Sequence, residues 1–340
     1  MSYFAHSPDD LVDRALAGFA RAHAGSVSYT ADPGYLSAVD PAPGRVVGLV
    51  SGGGSGHEPM HAGFVGRGML DAACPGRIFA SPHNRQVYEA SRAVAKSDGV
   101  LHIVKNYTGD RINFGIAAER LQHDGIACER VLVDDDVATD SEEIAVGRRG
   151  TGATVIVEKL LGAAADEGRS LSDLAGLGKR VVDASRSIAV ASAAQTVPGT
   201  GRAAFELPSD AVEYGVGIHG ERSGRVRTDA EIDELVTDMA DAVVSALGLA
   251  SGSRVIALVN GLGATTSLEL YGVFARLATI LDQHGIVLER QLIGSLVTAL
   301  DMRGFSLSLT RTDDELTRLW DAPAHTAAWT ATDRTGEDAR

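Results

Sequence analysis

Short apolar runs rich in β-branched residues alternate along the chain with stretches in which apolar residues recur at helical spacing. The apolar runs predict buried strands at residues 46–50, 77–80, 99–104, 130–133, 254–259, 286–289 and 305–310. The helical spacing predicts helices over residues 86–95, 113–124, 154–166, 171–195, 229–247, 267–284 and 313–320. Ser7 followed by Pro8 is a typical helix start, so a further helix is expected there. The alternation favours an α/β fold in which parallel or mixed sheets are flanked by helices.

The length of the chain and one interruption of this pattern indicate two domains. A chain of 340 residues exceeds the size at which single cores usually stop growing, about 250–300 residues. Residues 196–201, Thr-Val-Pro-Gly-Thr-Gly, interrupt the helical pattern. We therefore expect an amino-terminal α/β domain over residues 1–195 and a carboxy-terminal α/β domain over residues 196–340.

The chain is acidic and has few cysteines. Its 45 acidic and 31 basic residues give a formal net charge of −14, which opposes binding to nucleic acid or an anionic membrane and favours a neutral or cationic small substrate. No apolar run reaches about 18 residues, and the first residues lack a basic and apolar leader, so we expect neither a membrane span nor a signal peptide. Two cysteines fit a reducing compartment, and a cytoplasmic protein is expected.

A glycine-rich segment directly follows the strand predicted at residues 46–50. Four glycines within residues 52–56 predict a tight turn with positive φ that approaches a ligand closely. A helix is expected to start near His57, because Pro59 is tolerated in a first turn. The segment lacks the Gly-Lys-Ser/Thr ending of a P-loop, and His57 stands where the dinucleotide fingerprint needs its third glycine. A turn that binds nothing remains the alternative.

Residues 57–61, His-Glu-Pro-Met-His, match the His-Glu-x-x-His pattern of zinc proteases. That chemistry requires both histidines on one face of a continuous helix. Glycines precede His57, Pro59 confines a helix to starting there, and no clear third ligand follows. We therefore expect no metal site, and a zinc hydrolase is the weaker hypothesis.

Three further residues stand where catalytic groups are common. Lys105 and Asp110 follow a predicted strand, at the edge where α/β sheets place ligands. A solvated lysine and a helix-capping aspartate are the alternative. His219 lies between Gly217 and Gly220, so its neighbours leave its ring accessible. A lone histidine is more often structural, and that alternative also stays open.

Six segments occur in the order of a known protein family. They are residues 51–60, 105–110, 133–138, 147–150, 214–221 and 319–323. Together they resemble the substrate-binding K subunit of dihydroxyacetone kinases. The resemblance extends from about residue 7 to residue 323, and several of the segments are long and unusual. It is therefore far more specific than any single motif.

The resemblance implies a mechanism in which a histidine nitrogen adds to a ketone carbonyl and holds the substrate as a covalent hemiaminal. The matching residue is His219, and glycerol, which has no carbonyl, would not be held. Asp110 matches the base that takes the proton of the terminal hydroxyl. His57 matches the histidine that hydrogen-bonds substrate hydroxyls and assists that step, and Lys105 matches a further pocket contact. Backbone groups wrap the substrate at positions that match Gly54, Ser55 and Gly56.

The resemblance also implies partners. In this family ATP or ADP is bound with Mg²⁺ by a separate L subunit, so this chain is expected to bind no cofactor itself. Nothing after Pro323 resembles that module. A phosphotransferase-system M subunit is a further expected partner, and a homodimer is the expected assembly.

Two alternatives follow from the same resemblance. The segment His83-Asn84-Arg85 departs from better-known bacterial members, which carry small or acidic residues there, so a tetrulose such as erythrulose becomes an alternative substrate. Some relatives are co-regulators that sense dihydroxyacetone without turnover. The combination of Asp110 with both histidines favours the enzyme, because sensing requires no base.

Overall fold

The computed structural model describes residues 3–4, 7–140, 147–229 and 231–331. The first half of the chain forms, in order, α1 (Pro8–Ala22), β1 (Val27–Thr30), β2 (Tyr35–Ala38), β3 (Gly48–Ser55), β4 (Gly66–Arg67), β5 (Ala72–Ile78), α2 (Asn84–Val94), β6 (Val100–Lys105), α3 (Thr108–His123), β7 (Cys128–Val133), α4 (Ala153–Asp166) and α5 (Leu171–Asp183). The expected alternation of strands and helices is confirmed. The strand expected at residues 77–80 lies mostly earlier, as β5, and the sequence did not predict β1 and β2.

The first sheet has the strand order β1-β2-β5-β3-β6-β7. Strands β5, β3, β6 and β7 are parallel, whereas β1 and β2 are antiparallel to their neighbours. Successive residues of β3 pack on opposite faces, Leu49 in the core with α4 and α5 and Val50 in the core with α2 and α3. The parallel strands end at one edge, which is where open α/β sheets bind ligands.

The second half of the chain forms a second six-stranded sheet. The elements of this half are β8 (Ser185–Ala193), β9 (Ala211–Tyr214), β10 (Arg225–Thr228), α6 (Ile232–Leu247), β11 (Arg254–Gly261), α7 (Ser267–Gln283), β12 (Val287–Gly294), β13 (Arg303–Arg311), α8 (Asp314–Asp321), β14 (Ala324–Thr326) and β15 (Thr330–Ala331). Strands β14 and β15 lie outside the six-stranded sheet and form a small sheet with β4. The strand order of the six-stranded sheet is β10-β9-β8-β13-β11-β12. Helices α6 and α7 cover one face of this sheet. Among the helices of the described ranges, none has the length and apolar character that a bilayer span requires.

Helix α4 lies between the two sheets and is buried on all sides. All residues over 153–165 are buried, whereas a surface helix would keep one polar face. The core that contains α4 also holds Leu101 and Ile103 of β6 together with Ile256 and Leu258 of β11. One apolar core therefore joins the two halves of the chain.

The glycine-rich segment differs from its prediction. Strand β3 runs on through the first three glycines and ends at Ser55, and turns followed by a short 3-10 helix at Ala62–Phe64 replace the helix expected near His57. Of the four glycines only Gly56 has a positive φ, +104°. The others allow close approach of neighbouring chain, since a Cβ at Gly54 would lie 2.7 Å from the Ala80 nitrogen. The zinc-protease pattern thus lacks the helix that it needs.

The helix expected over residues 171–195 was wrong in its second half. Helix α5 ends at Asp183, and β8 follows as an inner strand between β9 and β13. Alanine and serine in this run give no clear preference, and antiparallel pairing with β13 decides the outcome. The change of sheet therefore falls between α5 and β8, not at the expected division between residues 195 and 196.

The last elements return to the first half of the chain. Strand β14 pairs with β4. Helix α8 packs on α4, where the Lys159 Nζ donates a hydrogen bond of 2.8 Å to the Leu319 carbonyl oxygen. The end of the described chain thus fastens the second half onto the first.

Candidate functional site

The carboxyl end of β3 meets a loop from the second half of the chain. The Thr298 amide donates to the His57 carbonyl oxygen at 3.3 Å, and the Leu300 amide donates to the Gly56 carbonyl oxygen at 2.8 Å. The Thr298 hydroxyl donates to the Glu58 carbonyl oxygen at 2.9 Å. These bonds hold the glycine-rich segment against the second half, so that one cluster of side chains draws on both.

His57 is fully buried and has one ring nitrogen without a partner. Its Nδ1 lies 2.7 Å from the Thr298 carbonyl oxygen, and a carbonyl only accepts, so Nδ1 carries the proton. Burial, followed by the charges of His219 and Lys105, holds the pKa of His57 well below its ordinary value. The neutral ring therefore presents Nε2 as an acceptor, and no protein group of the described residues bonds to it.

His219 follows β9 and is oriented by a carboxylate. Its Nδ1 lies 2.9 Å from Oε1 of Glu221, so in the neutral ring Nδ1–H donates and Nε2 keeps the lone pair. The Gln195 side chain donates to the His219 carbonyl oxygen at 2.8 Å. A Cβ at Gly217 would lie 2.1 Å from the Glu221 carboxylate, which explains this glycine. The arrangement makes Nε2 of His219 a potential nucleophile.

Aromatic rings pack against both histidines. The ring centroids of His57 and His219 are 4.8 Å apart. Phe79 stacks on His57 at 5.1 Å, and Tyr107 meets His219 edge-on at 4.7 Å. The Tyr107 hydroxyl is buried without a partner among the described residues, and burial raises its pKa well above the ordinary value. These rings wall the space around the histidines with largely apolar surface.

Asp110 lies in the first turn of α3, three residues after Tyr107, the residue that caps this helix. The alternative of a helix-capping aspartate is wrong, because Tyr107 is the N-cap of α3 and Asp110 itself is 3% exposed. Its Oδ1 is buried and has no hydrogen-bond partner within the described chain. Asp110 is therefore placed as an acceptor for a ligand proton.

Lys105, at the end of β6, is 1% exposed, so the solvated alternative is wrong. Its Nζ donates to the Gly52 carbonyl oxygen at 3.2 Å and lies 2.7 Å from Nε2 of His61. Burial lowers the pKa of Lys105, while the charges of Asp110 and Glu158 oppose that shift. The ammonium group packs directly against the backbone of the glycine-rich segment, since a Cβ at Gly53 would lie 2.2 Å from it.

The other predicted site residues, Gly54, Ser55 and Gly56, belong to the glycine-rich segment and offer a ligand mainly backbone groups. The Ser55 hydroxyl donates to the Gly76 carbonyl oxygen at 2.7 Å, so it is already engaged. Gly54 lies under the loop at Phe79, and Gly56 has its carbonyl oxygen bound by residue Leu300.

The departure at His83-Asn84-Arg85 forms the start of α2. His83 is exposed, and its Nδ1 accepts from the Arg85 amide at 3.1 Å as a helix cap. Arg85 pairs with Asp32 at 3.0 Å on the surface. The backbone amide of Asn84 donates to Oδ1 of Asn113 at 3.0 Å. In the described contacts, these three residues cap and anchor the first turn of α2.

Several polar groups of the site were missed in the sequence. His61 was considered only as a zinc ligand, yet it contacts Lys105 and Glu158. Glu158 had a signal, because a carboxylate interrupts the apolar run of α4. Glu221 also had a signal, because it stands two residues after His219. Thr298 had none, since its role depends on where the fold brings His57. Within the described ranges, no group of three or more His, Cys, Asp or Glu side chains is arranged to hold a metal ion.

Comparison with known proteins gives close matches in sequence. A family model described as the Dak1 domain matches residues 17–328. The dihydroxyacetone-binding subunit DhaK of the PEP-dependent dihydroxyacetone kinase of Escherichia coli (strain K12) is 45% identical over 94% of this chain and 96% of its own length. The L-erythrulose 1-kinase of Mycolicibacterium smegmatis is 38% identical over 97% of this chain and 58% of its own length.

Solved structures give matches of similar extent. The dihydroxyacetone kinase operon co-activator Dha-DhaQ has a TM-score of 0.89 and 30% identity, covering 94% of this chain and 98% of that chain. The dihydroxyacetone kinase of C. freundii in complex with AMP-PNP and Mg²⁺ has a TM-score of 0.88 and 32% identity, covering 97% of this chain and 61% of that chain. These findings confirm the family that the six sequence segments predicted. The chain belongs to the Dak1 family of dihydroxyacetone kinases.

Proposed function

We propose that this chain binds dihydroxyacetone as a covalent adduct and presents its terminal hydroxyl for phosphorylation. One observation carries the proposal. His219 packs against His57 and Tyr107, Nε2 of His57 and Oδ1 of Asp110 are buried without partners among the described residues, and both groups interact electrostatically with Lys105. Buried polar atoms are nearly always hydrogen-bonded, so these acceptors fit a small ligand that brings hydroxyl groups.

Adduct formation begins at His219. The Nε2 lone pair attacks the carbonyl carbon, the ring gives up its Nδ1 proton beside Glu221, and the carbonyl oxygen gains a proton. The net result is addition of an imidazole N–H across C=O, which gives a neutral hemiaminal. Glycerol lacks the carbonyl and cannot be held in this way.

Phosphoryl transfer uses the residues of the first half. Asp110 accepts the proton of the terminal hydroxyl as that oxygen attacks phosphorus, while Nε2 of His57 accepts a hydrogen bond from a substrate hydroxyl and Lys105 contacts a substrate oxygen. Backbone groups of Gly54, Ser55 and Gly56 enclose the ketose. The nucleotide is ATP or ADP with Mg²⁺ on a separate L subunit, and catalysis is mostly positioning and charge stabilisation.

The test is intact mass after incubation with dihydroxyacetone. Wild-type protein should gain the mass of one ketose, and His219→Ala should gain none. His284→Ala is the matched control, because this histidine lies on the surface and pairs only with Asp241 in the described contacts. A His219→Ala protein that holds the ketone as tightly as wild type would refute the assignment.

Turnover tests the division of labour. The purified chain with ATP and dihydroxyacetone should form no phosphorylated product until an L subunit is added. An M subunit of a phosphotransferase system is the proposed source of phosphate for a nucleotide held on that L subunit, and a homodimer is the proposed assembly. Substantial turnover by the chain alone would contradict this arrangement.

A related tetrulose is the second candidate substrate, favoured by the match to an L-erythrulose 1-kinase. The mass experiment with erythrulose in parallel separates the two, since the preferred ketose saturates the adduct at lower concentration. A sensor without turnover is the remaining candidate, favoured by the match to a co-activator. Adduct formation without L-dependent turnover would support the sensor.

A further inference from the structure

Two buried side chains lie behind Lys105 and take no part in the proposed chemistry. His61 is 5% exposed, and Glu158 is fully buried on α4, the helix enclosed by both sheets. An ionisable group at such a position is costly unless it is paired. Lys159, the next residue, turns to α8 and does not share this cluster.

The side chains form a continuous chain of hydrogen bonds. Oε1 of Glu158 lies 2.5 Å from Nδ1 of His61, and Nε2 of His61 lies 2.7 Å from Nζ of Lys105. The Ser51 hydroxyl lies 3.0 Å from the same Nδ1 and donates to the Ile103 carbonyl oxygen at 2.8 Å. Imidazole thus links a carboxyl group to an amine with both ring nitrogens in use.

The hydrogens of this chain can be placed in two ways. An ammonium on Lys105 donates to Nε2 of His61, whose Nδ1–H donates to a carboxylate at Glu158. If one proton moves along each link, a neutral amine, an imidazole with its hydrogen on Nε2 and a protonated carboxyl group result. Both arrangements contain the same number of protons, so they interconvert without a change of net charge. Because Lys105 and Glu158 are coupled through His61, their pKa values belong to the linked groups together and not to either residue alone. Burial raises the pKa of Glu158 to about 8 and lowers that of Lys105. The two proton arrangements therefore become closer in free energy.

Within the described part of the chain, the amine retains one donor for a ligand. An ammonium group has three N–H donors, of which His61 and the Gly52 carbonyl oxygen take two. Among the described residues outside this cluster, the charged or titratable groups that interact with it are His57 and Asp110.

We propose that His61 and Glu158 are positioning residues that direct the Lys105 amine, sharing one proton with it, so that its third N–H points to a ligand oxygen beside Asp110. This inference rests on the proposed function for the identity of the ligand. It assigns the two residues no contact with the substrate.

The first test measures the amine in the free protein. The chain has four lysines, Lys96, Lys105, Lys159 and Lys179, so each side-chain nitrogen can be followed by NMR, and Lys105→Met assigns the signal. Glu158→Gln should lower the pKa of Lys105 by about one unit or more, since an opposite charge within reach is lost. Lys159 is the internal control, because Asp166 and Asp321 act on it instead. An unchanged or raised Lys105 pKa would overturn the proposal.

The second test uses the KM for the ketose with an L subunit present. His61→Leu removes the acceptor for Lys105 and should raise KM about tenfold, the effect of one lost hydrogen bond. His61→Gln supplies an amide oxygen near the position of Nε2 and should restore most of that loss. Equal KM values for the two variants would contradict a positioning role.

His102→Leu and His102→Gln are the matched control pair. His102 is also fully buried, on β6, but bonds to Ser91 at 2.8 Å on the opposite face of the sheet. Both variants should keep the wild-type KM and the wild-type Lys105 titration. The titration needs no ketose, so a wild-type chain that forms no adduct would refute the proposed function while the Lys105 measurement still decides this inference.

Discussion

His219 depends on a single carboxylate for its orientation. Burial acts to raise the pKa of Glu221, but the hydrogen bond and charge of His219, together with Arg149, lower it to about 2. Glu221 is therefore anionic at any pH used in an assay. Arg149 comes from the first half of the chain and donates to the Gly215 carbonyl oxygen at 2.9 Å, so this orientation also depends on contact between the halves.

Glu221→Gln should weaken adduct formation. The amide oxygen can still accept from Nδ1 of His219, but the negative charge that stabilises the proton-donating ring is lost. We expect the ketone concentration for half-saturation to rise by roughly tenfold, as for other partners that orient a functional histidine. Intact mass against ketone concentration measures it. Glu119→Gln, at an exposed site on α3, should titrate like wild type, and equal curves for both variants would contradict the role.

Asp110→Asn should separate binding from turnover. The amide cannot take the proton of the terminal hydroxyl, so L-dependent turnover should fall by about 10²–10⁴, while the ketose adduct at His219 persists. Asp124→Asn, at the other end of α3, is the control and should keep both activities. Loss of the adduct together with turnover would mean that Asp110 mainly holds the ligand.

At the scale of elements, β3 brings glycine backbone against Lys105. A Cβ at Gly53 would meet Nζ at 2.2 Å, which leaves no room for any side chain unless the buried amine moves. The close packing of Lys105 therefore explains why this strand has glycine at residue 53. Positive φ explains only Gly56, which follows the strand.

Gly53→Ala should displace the Lys105 amine and raise the KM for the ketose by about tenfold, since hydrogen bonds of Lys105 are lost. Gly176→Ala is the matched control on α5, where no atom lies within 4 Å of the added Cβ. It should leave KM unchanged and stabilise the protein by about 0.5–1 kcal/mol, because alanine is the better helix former. KM from turnover and urea unfolding check the pair, and an unchanged KM for Gly53→Ala would contradict the account.

The elements were largely predictable from the sequence because their periodicity is a local property. Strands β6, β7 and β11 are apolar on both faces, and helices α2, α6 and α7 show helical spacing, so each was found. Strand β8 was missed because its alanines and serines suit either state until β13 pairs with it. The meeting of His57 with Thr298 and His219 depends on distant chain segments, so residue patterns could not indicate it without the family resemblance.

At the scale of the whole molecule, the site is assembled across the two halves and α8 fastens them. Lys159 of α4 is buried, and burial lowers its pKa to about 8. Its ammonium group donates to the Leu319 carbonyl oxygen at the end of α8. The free energy of unfolding should therefore depend on pH through the titration of Lys159.

Lys159→Met should flatten the rise of stability above pH 8. An unfolded lysine titrates near 10.4, so between about pH 8 and 10 the unfolded chain binds a proton that the folded chain lacks, and stability rises with pH. Below pH 8 both states are protonated and the contribution is constant. Urea unfolding at pH 8 and pH 10 should show a gain larger by roughly 1 kcal/mol or more in wild type than in Lys159→Met. Lys179→Met, at an exposed site, should behave like wild type.

The enclosure of α4 also sets an order of events during synthesis. This helix leaves the ribosome before any strand of the second sheet, yet β8, β11 and β13 cover one of its faces. Until β13 has been made, that face exposes apolar side chains to the cell, which favours aggregation. A nascent chain halted before Arg303 should therefore bind chaperones, and completion of β13 and α8 should release it.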